Sequence, residues 1–177
     1  MSQVRAVYDR VSRWNHWIFA ILMIGALAFG FYVFRVVPRG PGKGELIGFH
    51  KALGLLILML GVWRVGWRLR QGFIEPLHRG WQHVMAGLAH WVLLAGIVVL
   101  PLSGVLGSLF GGRGIGFFGL FTVPAGPEID WVSDAAYAVH EIMALAMVAA
   151  VALHIAGALK HQFLDRDGTL GRMIGRV

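Results

Sequence analysis

The sequence predicts an all-α integral membrane protein: a four-helix bundle forming a single domain over residues 1–177, with both termini in the cytoplasm. Three observations predict it. The chain is 57% hydrophobic and only 14% charged, where a soluble domain carries about 45–50% apolar and about 25% charged residues. Its mean hydropathy is +0.68. It also contains four stretches long and apolar enough to cross a hydrocarbon core, which needs about 20 residues per helix.

The stretches run over residues 17–34, 46–63, 84–110 and 135–159. The first carries no charge. The second is apolar except for His50 and Lys51. The third is long enough to tilt, and Pro101 is expected to kink it. The fourth contains Glu141, His140 and His154. Only short connections remain. Residues 1–15 read as a basic amphipathic approach to the first helix, with Ser12 as a candidate cap. The first apolar run is longer than the core of a signal peptide and lacks a small-residue cleavage site, so no cleaved signal is expected.

Orientation follows from lysine and arginine, which favour the cytoplasmic side. With four spans, one side collects Arg5, Arg10, Arg13, Arg64, Arg68, Arg70, Arg79, Lys160, Arg166, Arg172 and Arg176. The other holds Arg35, Arg39, Lys43, Lys51 and Arg113. The first group, with both termini, belongs in the cytoplasm. Arg35, Arg39, Lys43 and Lys51 form a basic cluster on the translocated side, against the usual bias, and invite a functional reading.

The chain has no cysteine, which excludes disulfides, thiolate-held iron–sulfur clusters and covalent haem attachment. Any metal must be held by other groups, and the eight histidines are the obvious stock. His140 and His154 lie fourteen residues apart, hence about 40° apart around a helix and roughly 21 Å along it. Two imidazoles on one face could each support a haem, one near each leaflet. Depth supplies a partner for each: His50 for His140 on the outer side, His16 for His154 on the inner. Two imidazoles close the coordination of one haem iron, whereas a bare zinc site wants three or four ligands. The competing reading is histidines hydrogen-bonded within a bundle. Small residues nearby (Gly54, Gly61, Ala144, Gly157, Ala158) leave room for a macrocycle and equally suit close helix packing. His90 could touch a haem edge or bond a neighbouring helix, while His78 and His83 read as solvated. His161, seven residues past His154, is a candidate for a quinone site.

In order along the chain stand Arg13-Trp14-Asn15-His16-Trp17, Gly48-Phe49-His50-Lys51, Gly87-Leu88-Ala89-His90, His140-Glu141, Leu153-His154, Ala158-Leu159-Lys160-His161 and Asp167-Gly168-Thr169-Leu170, followed by Arg172-Met173. This series resembles the bacterial cytochrome b561 family, related to the cytochrome b subunits of hydrogenases. The resemblance implies two non-covalent haem b groups with ligands at His16, His50, His140 and His154. It further implies electron transfer from superoxide at the outer face to ubiquinone in the membrane, with His161 in the quinone neighbourhood. In that picture Arg35, Arg39, Lys43 and Lys51 attract the anionic substrate, unless they bind lipid head groups or haem propionates. His161 and Lys160 would donate protons to the quinol, and Arg13, Arg64 and Arg68 would pair with inner-haem propionates, unless they serve as cytoplasmic anchors.

The rival reading is an electron-transfer subunit linking a periplasmic dehydrogenase or hydrogenase to the quinone pool. A cofactor-free scaffold or transporter is a third. Expected partners are membrane lipid, quinone and superoxide, with a homodimer or redox partner subunit compatible and no nucleic acid. The expected location is the bacterial inner membrane.

Overall fold

A computed structural model describes residues 8–72 and 81–175, with the side chains of residues 81–83 excepted. Arg5, His78, Arg79 and Arg176, and the side chain of His83, lie outside the described residues. Helix α1 spans Arg10–Phe31 and continues into a π-helical turn, Tyr32–Val36. Helix α2 spans Lys43–Gln71, α3 Trp81–Phe110 and α4 Asp130–Lys160. A second π-helical turn, His161–Asp165, extends α4, and a short α5 covers Thr169–Ile174. Four of these helices have the length and hydropathy to cross a membrane. Many of their large side chains face outward, among them Ile21, Ile142 and Leu145, each about two-thirds exposed or more; such a surface suits lipid rather than water.

The helices extend beyond the predicted spans at most ends. At the start of α1 the cap is Asp9, not Ser12: the Asp9 carboxylate accepts from the Ser12 backbone N–H at 3.0 Å and from its hydroxyl at 2.6 Å. Ser12 is buried inside the first turn. Helix α3 runs through Pro101 without interruption. Proline has no N–H to offer the carbonyl of Ile97, and that carbonyl lies against Gly61 of α2, where an added Cβ would meet it at 3.1 Å.

The connection between α3 and α4 contains a hairpin that the hydropathy pattern does not reveal. Strand β1 (Ile115–Phe117) pairs antiparallel with β2 (Phe121–Val123). Phe118 and Gly119 both take positive φ, and Leu120 N–H closes the turn on Phe117 C=O at 2.9 Å. Two left-handed residues in succession match the right-handed twist of the flanking strands, and glycine takes the second at no steric cost. At the opposite end, Tyr8 N–H reaches Arg172 C=O and the Trp17 indole reaches Met173 C=O, each at 3.4 Å, tying the two chain ends together.

The core repeats in steps of seven residues, two helical turns. Met23, Ile57, Ile97 and Met147 belong to one buried cluster with Phe19 and Leu100. Seven residues to either side of those four stand His16 and Gly30 on α1, His50 and Arg64 on α2, His90 and Gly104 on α3, and His140 and His154 on α4. Seven residues nearly close two turns, so each trio stays on the inward stripe of its helix. The up-down course of the chain then gathers them into two layers, one at each end of an apolar plug.

Candidate functional site

In one layer the imidazoles of His50 and His140 face each other with centroids 6.2 Å apart and planes at 87°. In the other, His16 and His154 stand at 6.1 Å and 59°. Both pairs bridge helices that approach each other far less closely than α3 and α4 do. The gaps are therefore spanned by rings rather than by packed backbone.

Around His50 and His140 the surroundings are neutral and tight. A Cβ on Gly30 would lie 2.9 Å from His50 Cε1, and one on Gly104 would lie 2.9 Å from His140 Cε1 and 3.0 Å from its Nδ1. A side chain at either position would have to push its imidazole aside. Phe34 packs edge-on against His50, while Phe29 carries the aromatic contact on to Phe49 and so to Phe118 of the hairpin. His140 Nδ1 lies 2.8 Å from Leu100 C=O and 3.4 Å from Ser103 Oγ. A carbonyl only accepts, so it fixes a proton on Nδ1 and leaves the Nε2 lone pair outward.

The His16–His154 layer is polar and cationic. His90 adds a third ring, 5.3 Å from His154. Arg64 donates to Asn15 Oδ1 at 3.0 Å, places Nη2 3.3 Å from His16 Nδ1, and lies over the Phe19 ring at 5.3 Å. Asn15 is itself buried, and Trp67 bonds Ser12 at 3.1 Å beside it. An apolar groove lined by Trp14, Ile18, Leu60 and Trp63 opens between α1 and α2 at this end.

The residues fit a metal-centred macrocycle. Two imidazoles sharing one ion, each nitrogen about 2.0–2.1 Å from it, bring their centroids to a little over about 6 Å, as both pairs here do. Among the described residues, His50 Nδ1, Arg13 Nε and Arg64 Nε are buried without hydrogen-bond partners. The glycine seats keep side chains out of the space beside His50 and His140.

The remaining predicted residues are placed as follows. Arg35 forms an ion pair with Glu141, which follows His140 directly. Lys43 donates to Val37 C=O at 2.8 Å, and Arg39 is exposed. Lys51 has the like charge of Arg113 as its electrostatic neighbour, and the Arg113 guanidinium lies 5.8 Å from the Tyr137 ring. The four cations predicted as a cluster are therefore not equivalent: two are engaged locally. At the other end, His161 Nδ1 lies 2.9 Å from Asp165 and 2.7 Å from Asp167, and Lys160 reaches Asp165. Sequence reasoning passed over Gly30, Gly104 and the Asp165–Asp167 pair. The two glycines had a signal, the fourteen-residue interval that each keeps from a histidine of its own helix.

A family model described as prokaryotic cytochrome b561 matches residues 7–176. Cytochrome b561 homolog 2 of Escherichia coli K12 is 32% identical over 172 residues, covering 96% of this chain and 92% of the relative. Cytochrome b561 homolog 1 of the same organism is 24% identical over 173 residues, covering 96% and 97%. A protein of Yersinia pestis named probable superoxide oxidase CybB is 26% identical over 162 residues, covering 90% of each. With four membrane-length helices and this match over nearly its whole length, the chain belongs to the prokaryotic cytochrome b561 family, multi-pass membrane proteins that transfer electrons by means of haem b.

Proposed function

We propose that the protein is a di-haem cytochrome that oxidises superoxide to O₂ at the His50–His140 end and reduces ubiquinone at the His16–His154 end. The observation that carries this reading is the pair of histidine pairs, each spaced for one shared ion, at opposite ends of a bundle of membrane length. The name of the Yersinia pestis relative supports the choice of superoxide. Bound haem b, held by His50 with His140 and by His16 with His154, supplies reversible one-electron chemistry.

The rest is the work of side chains. Two superoxide ions each give up one electron and leave as O₂; one ubiquinone takes both electrons and two protons. Arg39, Lys51 and Arg113 attract the anion, with Lys51 next to His50 in sequence. Arg35 and Lys43 contribute less, since Glu141 and the Val37 carbonyl already engage them. Leu100 C=O holds His140 in one tautomer and one orientation. His161, held between Asp165 and Asp167, donates protons to the quinol, and Lys160 acts beside it. Both termini lie in the cytoplasm of a bacterial cell whose inner membrane the chain spans, a reading that the arginine and lysine distribution supports.

Steady-state kinetics tests the proposal. Purified protein supplied with enzymatically generated superoxide and a soluble ubiquinone analogue should form quinol, at a rate that falls as ionic strength rises. Absence of quinol overturns the reading. A rate indifferent to salt removes the steering role of the cations. Quinol formation only with a co-purifying soluble dehydrogenase would replace superoxide by a protein donor.

A further inference from the structure

We propose that the groove between α1 and α2 is a binding site for an anionic phospholipid, which lays one acyl chain along the two helices and sets its phosphate on Arg10. The site lies on the outside of the bundle, so the inference stands independently of the haem reading given above. The groove holds about 380 Å³, within the range of small-molecule sites, and its lining is almost wholly apolar. Trp14 and Ile18 form one wall, and Leu60 and Trp63 the other. Phe19 and Asn15, both buried, close the floor, where the Asn15 oxygen is already turned to Arg64.

The position of the charge selects the occupant. Arg10 is the one charged residue lining the groove, and it stands at the rim as the first residue of α1. A cation there opposes the helix dipole, and the first turn holds no acidic residue. Its chain neighbour Asp9 is engaged by Ser12, and among the described residues no carboxylate pairs with Arg10. From Arg10 to Ile18 the helix rises about 12 Å, close to the roughly 15 Å of hydrocarbon in one leaflet. Trp14 and Trp63 are 69% and 52% exposed at this end, and indoles collect where hydrocarbon meets head groups. Arg70, exposed and seven residues past Trp63, adds a second cation on the same face of α2. A matching ligand is long and apolar, with a single anionic end at head-group depth. Basic pockets between spanning helices hold anionic lipid heads in this way. A quinone is neutral and gives Arg10 no charge to meet.

The experiment uses the full-length protein, purified in detergent, stripped of its own lipid and mixed with equal amounts of dioleoyl phosphatidylglycerol and dioleoyl phosphatidylcholine. The two lipids share their chains and differ in charge, and native mass spectrometry counts each on the protein. The parent should retain one phosphatidylglycerol in preference to phosphatidylcholine. Arg10→Gln should bind phosphatidylglycerol about fivefold more weakly, the effect of one arginine at a charged lipid surface, and leave phosphatidylcholine unchanged. Ile18→Trp, which fills the groove and spares the rim, should weaken both lipids. Arg166→Gln, at an exposed site after α4, should match the parent. Inorganic phosphate should displace the lipid no better than chloride of equal ionic strength. No preference in the parent overturns the proposal, as do equal losses in Arg10→Gln and Arg166→Gln, the mark of diffuse surface charge. Displacement by phosphate beyond the chloride control overturns the role of the chain. One-for-one displacement by a short-chain ubiquinone overturns the proposal in favour of a quinone seat. Should Ile18→Trp not assemble, the preference of the parent and its loss in Arg10→Gln decide the matter.

Discussion

The two histidine layers share a spacing and differ in almost everything around it. Ring centroids stand 6.2 Å apart in one and 6.1 Å in the other. The His50–His140 layer is built from glycine, phenylalanine and backbone carbonyl; the His16–His154 layer from arginine, asparagine and a third histidine. Spacing is set by helix geometry, which repeats. Environment is set by the residues in the other seats, which do not. One architecture thus offers two histidine pairs of equal spacing in unequal electrostatic surroundings.

Removing one ring from each layer is the strongest way to break the comparison. His140→Ala and His154→Ala should each cost about half of the bound haem, with opposite halves lost, as read by haem quantification and low-temperature spectra. Next comes a substitution that touches one layer only. Gly104→Val should displace His140, whose Cε1 already lies 2.9 Å from the glycine's missing Cβ, and empty that layer while the His16–His154 signal persists. Loss of both signals would show that the layers do not assemble independently.

The plug between the layers should be indifferent to the distinction. Met147 is 1% exposed and lies midway between His140 and His154. Met147→Ala should destabilise the bundle by about 2–5 kcal/mol, the cost of a core cavity, and lower thermal retention of both haems alike. The smallest effect should come from Asp9, which caps α1 below His16. Burial would raise its carboxyl, but the hydrogen bonds from Ser12 outweigh this and hold it below the usual 3.8. A depressed carboxylate stabilises the fold above its unfolded value and loses that contribution as pH falls through the folded one. Asp9→Ala should thus cost about 1 kcal/mol near neutrality and little in acid well below pH 3.8, measured by thermal unfolding at each pH.

Much of this was legible in the chain itself. Four apolar runs give four helices because lipid offers no partner to an unpaired backbone group. The His140–His154 interval assigns both rings to one face of one helix, since the turn of the α-helix is constant. Depth along the chain predicts which rings meet, and the rings do meet.

Other features were not legible, for reasons that can be named. A three-residue strand of Ile115–Phe117 is too short for its periodicity to stand out among aromatic neighbours. Asp9 rather than Ser12 caps α1 because the cap depends on where the first turn begins, and hydropathy does not mark that. The pairing of Arg35 with Glu141 joins residues 106 apart in sequence, a contact that charge counting along the chain cannot separate from a free cluster.

The sequence alone therefore determined the solvent the protein occupies, the number of spans, the seven-residue stripe and the candidate ligands, because each follows from local chemistry and a fixed helical period. Only the tertiary structure decided which cations are already engaged, that Gly30 and Gly104 lie against histidine rings, and that Arg64 stands beside His16 with no carboxylate partner among the described residues. Those depend on distances between helices, and a one-dimensional period carries no information about what lies across the gap.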